Sequence, residues 1–183
     1  MSRKACLFIL AAALALPGYG ATIRADAYDL RFDLQTGVDP DAYSYPPVAA
    51  GLGYFIADNV EIGGLLGIRS ADWDSFWITG NVWELGLFGE IHFDVDLNFH
   101  PLAGVRLSML DGEKDSDTAY QLFLYGGGKL FLSENVALAI QAGVAVSDEE
   151  IYDVDTHLRP NGTTTQKGDS IGLLLDLGIR YFF

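Results

Sequence analysis

The chain has 183 residues, and its 11 Lys and Arg stand against 25 Asp and Glu for a net charge of −14. That balance sets it against nucleic-acid phosphates and against a polybasic membrane anchor. The length suits one domain, and the single cysteine, Cys6, excludes an internal disulfide framework.

The N-terminus reads as an export signal. Arg3 and Lys4 form a short positive region, and Cys6 to Leu16 is an apolar run broken by Pro17. Gly18-Tyr19-Gly20 then supplies small residues at the two positions a signal peptidase reads. The apolar run is too short to span a bilayer as a helix. Residues 1–20 are therefore expected to be a cleaved signal peptide, with cleavage after Gly20 and Ala25-Asp26-Ala27 as the alternative site. Cys6 opens the apolar run instead of following it, so it is no lipid anchor and leaves with the signal. Residues 21–183 then form the mature barrel domain. Removing two basic residues leaves 11 − 2 = 9 against 25, a mature charge of −16.

From Tyr28 the chain alternates. Tyr28, Leu30, Phe32 and Leu34 share one face, and Asp29, Arg31, Asp33 and Gln35 the other, the signature of a strand with one apolar side. The pattern recurs at Val48–Ile56 and, after Ala57-Asp58-Asn59, at Val60–Ile68. It returns at Trp83–Phe93, Pro101–Met109, Tyr120–Leu130, Val136–Val146 and Ile171–Phe183. Several rows have the length of a tilted membrane-crossing strand.

The links alternate as well. Those at 57–59, 94–100 and 131–135 are short; those at 36–47, 69–82, 110–119 and 147–170 are long and polar. Short turns at one end and long loops at the other are the asymmetry of an outer-membrane barrel with both termini on the periplasmic side. Aromatic residues fall where two interfacial girdles belong. Tyr28, Phe93, Phe99, Phe131, Tyr181 and Phe183 lie near the turn end, and Tyr43, Tyr45, Trp73, Trp77, Trp83 and Tyr120 near the loop end. The expected fold is all-β: an eight-stranded antiparallel up-and-down transmembrane β-barrel. A soluble barrel of the lipocalin kind is the competitor; it would place its apolar rows inside.

The polar faces then become the interior. Asp29, Asp33, Glu61, Glu84, Glu90 and Asp176 would meet Arg31, Arg69, Arg106, Lys129 and Arg180, joined by Gln35, Gln121, Gln141 and His92. Eight strands enclose a space just wide enough for side chains, and charges buried there must pair. The expectation is a plugged, charge-paired lumen. Bulky Phe88, Phe123, Tyr125 and Phe131 of the fourth and sixth strands are expected to pack across it onto small residues. Those are Gly51, Gly53, Gly63 and Gly67 of the second and third strands and Ala137, Ala139, Gly143 and Ala145 of the seventh.

The chain ends on an aromatic, which is unusual because most termini are polar and frayed. Asp176, Gly178, Tyr181 and Phe183 place a polar residue, a glycine and two aromatics in the order of the β-signal read by the outer-membrane assembly machinery. Together with the eight rows, this resembles the small outer-membrane barrels related to OmpA's transmembrane domain, OmpX and OmpW. The resemblance implies an outer-membrane location and that machinery as an assembly partner. The chain departs from OmpA in having no periplasmic domain and from OmpW in its charged interior.

No catalytic, metal or cofactor motif is found. No histidine is followed two residues later by the serine that a lipid A deacylase barrel needs. Asp94-x-Asp96-x-Asn98 has Phe99 where a calcium loop demands glycine. The acidic loop residues Asp111, Glu113, Asp148, Glu149 and Glu150 would face outer-membrane lipid and lipopolysaccharide phosphates. Divalent cations are expected to bridge the two. The 147–170 loop, rich in Gly, Thr and Asn, is expected to be mobile and to contact partners. The functional expectation is a non-enzymatic, monomeric surface protein acting through its loops, with a narrow channel for small, apolar molecules as the alternative.

Overall fold

The computed structural model describes residues 24–37, 48–72, 79–93, 95, 98–112, 118–148, 152–158 and 164–183. Residues 1–20, Tyr43, Tyr45, Trp73, Trp77, Glu113, Glu149 and Glu150 lie outside them. The strands are β1 (Tyr28–Gly37), β2 (Val48–Ala57), β3 (Val60–Asp72), β4 (Thr79–His92), β5 (Phe99–Gly112), β6 (Ala119–Phe131), β7 (Val136–Ser147), β8 (Tyr152–Leu158), β9 (Thr164–Asp169) and β10 (Ile171–Phe182). Eight of them close in the order β1-β10-β7-β6-β5-β4-β3-β2, every pair antiparallel. Each strand lies beside its predecessor, and β10 returns to β1 to seal the cylinder. Among the described residues no helix is long and apolar enough to cross a membrane.

Alternation decides which side of the wall each residue takes. Phe32, Leu66, Leu87, Leu107, Leu124, Leu173 and Ile179 are exposed on the outside, Leu87 at 67% and Leu66 at 65%. Asp29, Arg31, Glu61, Glu90, Lys129 and Arg180 are buried inside at 2% or less. A water-soluble barrel has the opposite arrangement, because so continuous an exposed apolar surface is stable only against hydrocarbon. The outside is therefore the lipid face.

The seam is closed at the turn end where β1 begins and β10 ends. Tyr28 N donates to Phe183 O at 2.9 Å and Phe183 N to Tyr28 O at 3.1 Å. The two rings stack with centroids 5.6 Å apart. The segment before β1 is fixed to the neighbouring turn. Asp26 N donates to Phe55 O and Phe55 N to Ala27 O, both at 2.9 Å. Ala25 N reaches Asp58 Oδ1 at 2.9 Å, and Tyr54 Oη donates to Asp26 Oδ1 at 2.6 Å. Asp26 adopts a left-handed backbone, φ 67°, to turn the chain into this clamp. A bulge between Phe55 and Ala57 marks where β2 gives up its regular register to receive it.

Four features differ from the sequence expectation. The 147–170 segment contains an antiparallel hairpin, β8 with β9, where a mobile loop is expected. Its turn-rich composition masks two short strand-forming runs that can pair with each other. Phe131, expected both in the girdle and in the lumen, is 2% exposed and takes only the lumen place, because it sits in the inward register of β6. β5 begins at Phe99 rather than Pro101, which carries His100 into the interior at 6% exposure.

The fourth is the packing of large residues. Phe88 and Tyr125 fill space over glycines of directly paired strands, whereas Phe131 packs across the lumen onto Phe182 and clusters with Ala137 of β7. Phe88 covers Gly63, its register partner on β3, and Tyr125 covers Gly104, its partner on β5. A Cβ at Gly104 would lie 2.5–2.6 Å from Tyr125 ring atoms, closer than packed atoms approach. Of the aromatic positions expected in the girdles, Tyr28, Phe93, Tyr181 and Phe183 are exposed at the turn end and Trp83 and Tyr120 at the loop end.

Candidate functional site

The described interior is layered from the turn end upward. Phe55, Phe131 and Phe182 form an aromatic floor with Ala137. Ring centroids are 5.2 Å apart for Phe131–Phe182 and 6.2 Å for Phe55–Phe182. His92 packs on Phe55 and His100 stands edge-on to Phe131. All lie at the turn-end ends of their strands, Phe55, His92, Phe131 and Phe182 near the last residues of β2, β4, β6 and β10, and Ala137 and His100 near the first residues of β7 and β5.

A charge cluster lies directly above. Lys129 Nζ on β6 donates to Glu61 Oε2 at 2.7 Å and to Asp29 Oδ2 at 2.9 Å, with Glu90 Oε2 at 3.3 Å. Arg31 on β1 donates to Glu61 Oε1 at 2.8 Å and Glu90 Oε1 at 3.0 Å. Its guanidinium lies 3.5 Å from the centroid of the Phe88 ring that covers Gly63. Arg180 donates to Asp33 across the β1–β10 seam and stands 3.7 Å from Asp29. Tyr125 Oη at 2.9 Å and Gln141 Nε2 at 3.0 Å donate to Glu90 Oε1, and His92 Nε2 lies 3.1 Å from Glu61 Oε2. Four carboxylates thus meet three cations here, a net −1 with His92 neutral.

A second group sits higher. Arg106 on β5 donates to Asp176 Oδ2 on β10 at 3.1 Å and lies 3.7 Å from Glu84, whose Oε1 accepts from Ser108 Oγ at 2.6 Å. An apolar layer containing Val82, Leu110, Ala119, Phe123, Ala145 and Leu174 fills the interior of this upper half.

Ten of the eleven residues expected in the lumen network are therefore brought together. The eleventh, Arg69, lies in β3 opposite Val82, two residues beyond Gly67, which pairs with Glu84. Its side chain lies outside those described. The residues of the terminal pattern fall on both sides of β10. Asp176 is inward beside Arg106, while Tyr181 and Phe183 face outward. Gly178 leaves the room that Asp33 and Arg180 occupy, since a Cβ there would strike both.

Sequence reasoning missed His100 and Ser108. It also counted Tyr125 as bulk when its hydroxyl is a ligand of Glu90. Ser108 lies in the inward register of its strand, so the alternation pattern carried the signal.

Glu61, Glu90 and His92 also have the composition of a metal site, their ligating atoms lying within 4.8 Å of one another. Lys129 Nζ contacts the same two carboxylate oxygens, at 2.7 and 3.3 Å. A fixed ammonium thus already neutralises the two carboxylates of this group. What the arrangement does chemically is neutralise carboxylates with fixed cations in a buried interior, where a charge left without its partner costs several kcal/mol.

No family model and no curated protein matches this chain. Solved structures match at the level of fold. A de novo designed transmembrane β-barrel aligns with a TM-score of 0.54 at 13% identity, covering 87% of this chain and 98% of that one. The N-terminal β-barrel domain of Pseudomonas aeruginosa OprF gives 0.52 at 15% identity, covering 87% and 98%. Neisserial surface protein A gives 0.52 at 15%, covering 85% and 94%. The chain has the fold of the small eight-stranded outer-membrane barrels.

Replacing Lys129 with Met should leave Asp29, Glu61 and Glu90 short of one cation and cost about 3–5 kcal/mol. Ser108→Ala, which removes one hydrogen bond to Glu84, should cost about 1.5–3 kcal/mol. Urea titration of the detergent-folded protein, followed by the shift of the folded band in unheated gels, measures both. Equal midpoints for Lys129→Met and the unmodified chain would contradict the assignment of Lys129 as the central counter-ion.

Proposed function

We propose that this chain, built as a small outer-membrane barrel, is an exported, non-catalytic surface protein whose lumen is closed by its own side chains. In this reading it acts through its loop end, as a monomer, in the outer membrane of a Gram-negative cell. The carrying observation is the interior itself. An aromatic floor spans the turn end, and Lys129 and Arg31 each bind two or more carboxylates above it. Opening such a lumen would strip several charges of their partners together, at several kcal/mol each.

The loop end supports the interaction role. The β8–β9 hairpin is a structured projection beyond the barrel wall, and binding residues concentrate on loops carried by rigid scaffolds. The acids Asp111, Glu113, Asp148, Glu149 and Glu150 make that end anionic, so contact with lipopolysaccharide phosphates goes through divalent cations. Nucleic acid is repelled by the same charge. A narrow channel for small apolar molecules is the second reading, favoured by the apolar upper interior; the aromatic floor opposes it. Planar-bilayer recording separates the two. Absence of reproducible conductance steps supports a closed lumen, and stable steps of one size would replace it with the channel.

Export and assembly follow the same reading. Cleavage of the signal after Gly20 is favoured over cleavage after Ala27, because the Arg24–Ala27 clamp on Phe55, Asp58 and Tyr54 would be lost in the second case. Asp176, Gly178, Tyr181 and Phe183 act as the assembly signal, presented on the last strand to close the barrel. Phe183→Asp should leave export and an N-terminus at Ala21 unchanged while lowering the level in the outer membrane. Normal outer-membrane amounts of this variant would remove the terminal signal from the account.

A further inference from the structure

On the lipid face, two outward rows cross four strands side by side near the loop end. One runs Leu87–Leu107–Leu122–Val146 and the next Leu85–Met109–Tyr120, each residue the register partner of its neighbour. Asp148 continues the second row, its N donating to Tyr120 O at 3.2 Å and its Oδ1 accepting from Tyr120 N at 2.7 Å. Between them the row Gly86–Ser108–Gln121–Ser147 points inward. The space between the ridges is therefore a trough floored by backbone, about 590 Å³ in volume.

The trough is inclined. Leu85 and Leu87 lie mid-way along β4, whereas Tyr120 is the second residue of β6 and Ser147 the last of β7. It starts inside the apolar band and climbs to the rim, where it ends at the exposed carboxylate of Asp148. Its walls are Leu, Met, Val and a tyrosine ring. An occupant with a hydrocarbon tail in the bilayer and a polar head at the loop-end interface has this profile, and a globular ligand does not.

We propose that this trough seats one acyl chain of a lipopolysaccharide molecule, making it a fixed lipid site on the barrel wall. The inference rests on the loop end facing the outer leaflet, as proposed above. The head group meets Asp148, with Asp111 exposed further up the neighbouring wall beside Trp83. No described cationic side chain borders the trough. An anionic head group can therefore meet Asp148 only through a bridging divalent cation, and the chain contact supplies position where the lipid phosphate cannot pair with a side chain.

The test is native mass spectrometry of the full barrel, released from detergent after incubation with purified lipid A or with phosphatidylethanolamine, in Mg²⁺ or in chelator. Leu107→Trp fills the trough; Leu173→Trp makes the same change elsewhere on the lipid face, where Leu173 is exposed on β10. The expected result is lipid A retained in Mg²⁺ by the unmodified chain and by Leu173→Trp, with about tenfold less on Leu107→Trp. Equal retention by both tryptophan variants would overturn the site. Phosphatidylethanolamine retained as well as lipid A would overturn the choice of lipid. Loss on Leu107→Trp with no difference between Mg²⁺ and chelator would keep the trough and remove the cation-bridged contact. Asp148→Lys should bind lipid A in chelator as well as in Mg²⁺.

Discussion

Lys129 stands among Asp29, Glu61 and Glu90 with no water-exposed surface, in a lumen whose outer wall faces hydrocarbon. Much of the structure follows from having to satisfy that one position. The three carboxylates come from β1, β3 and β4, so the ammonium ties together strands far apart in sequence. Hydrocarbon offers no polar partner, so the wall must keep all its backbone hydrogen bonds and all its charged side chains within itself. A closed sheet with period-two alternation meets both demands. The charges do not add net attraction cheaply; desolvation takes back most of it. What they contribute is register, because a one-residue slip in any strand would turn its charges onto the lipid.

Glycine completes the same solution. Interior room is limited, and large side chains are accommodated by removing the Cβ of the residue they lie over. Phe88 over Gly63, Tyr125 over Gly104, and Asp33 with Arg180 over Gly178 are three instances. In the first, the ring held over the glycine is also the face on which Arg31 rests. Packing and electrostatics are therefore coupled. The glycine fixes the ring, the ring supports the guanidinium, and the guanidinium neutralises Glu61 and Glu90.

The side of the wall on which each residue falls was legible from alternation alone, and so was the count of barrel strands. Height within the lumen was not. Period two assigns a residue to a face but gives no cross-strand partner, and partnership depends on the stagger between strands. The sequence therefore supplied Phe88 and Gly63 as large and small without pairing them, and Tyr125 as bulk without its bond to Glu90. Strand ends were blurred for a related reason. Phe99 and His100 precede a proline, a residue that tolerates only the start or edge of a strand, which hid the first inward position of β5. The β8–β9 hairpin was obscured because the alternation of β8 (Tyr152, Val154, Leu158) is short and β9 (Thr164–Asp169) has no apolar residue to mark a face.

The central claim is that the apolar rows face lipid on every strand of the cylinder. Spin labels on single cysteines at Phe32, Leu66, Leu124 and Ile179, in a chain with Cys6 replaced, test it most directly in lipid vesicles. The account predicts that dissolved oxygen relaxes all four labels while a water-soluble nickel complex does not reach them. Efficient relaxation by the nickel complex at these positions, comparable with that of a label at Asp148, would contradict it.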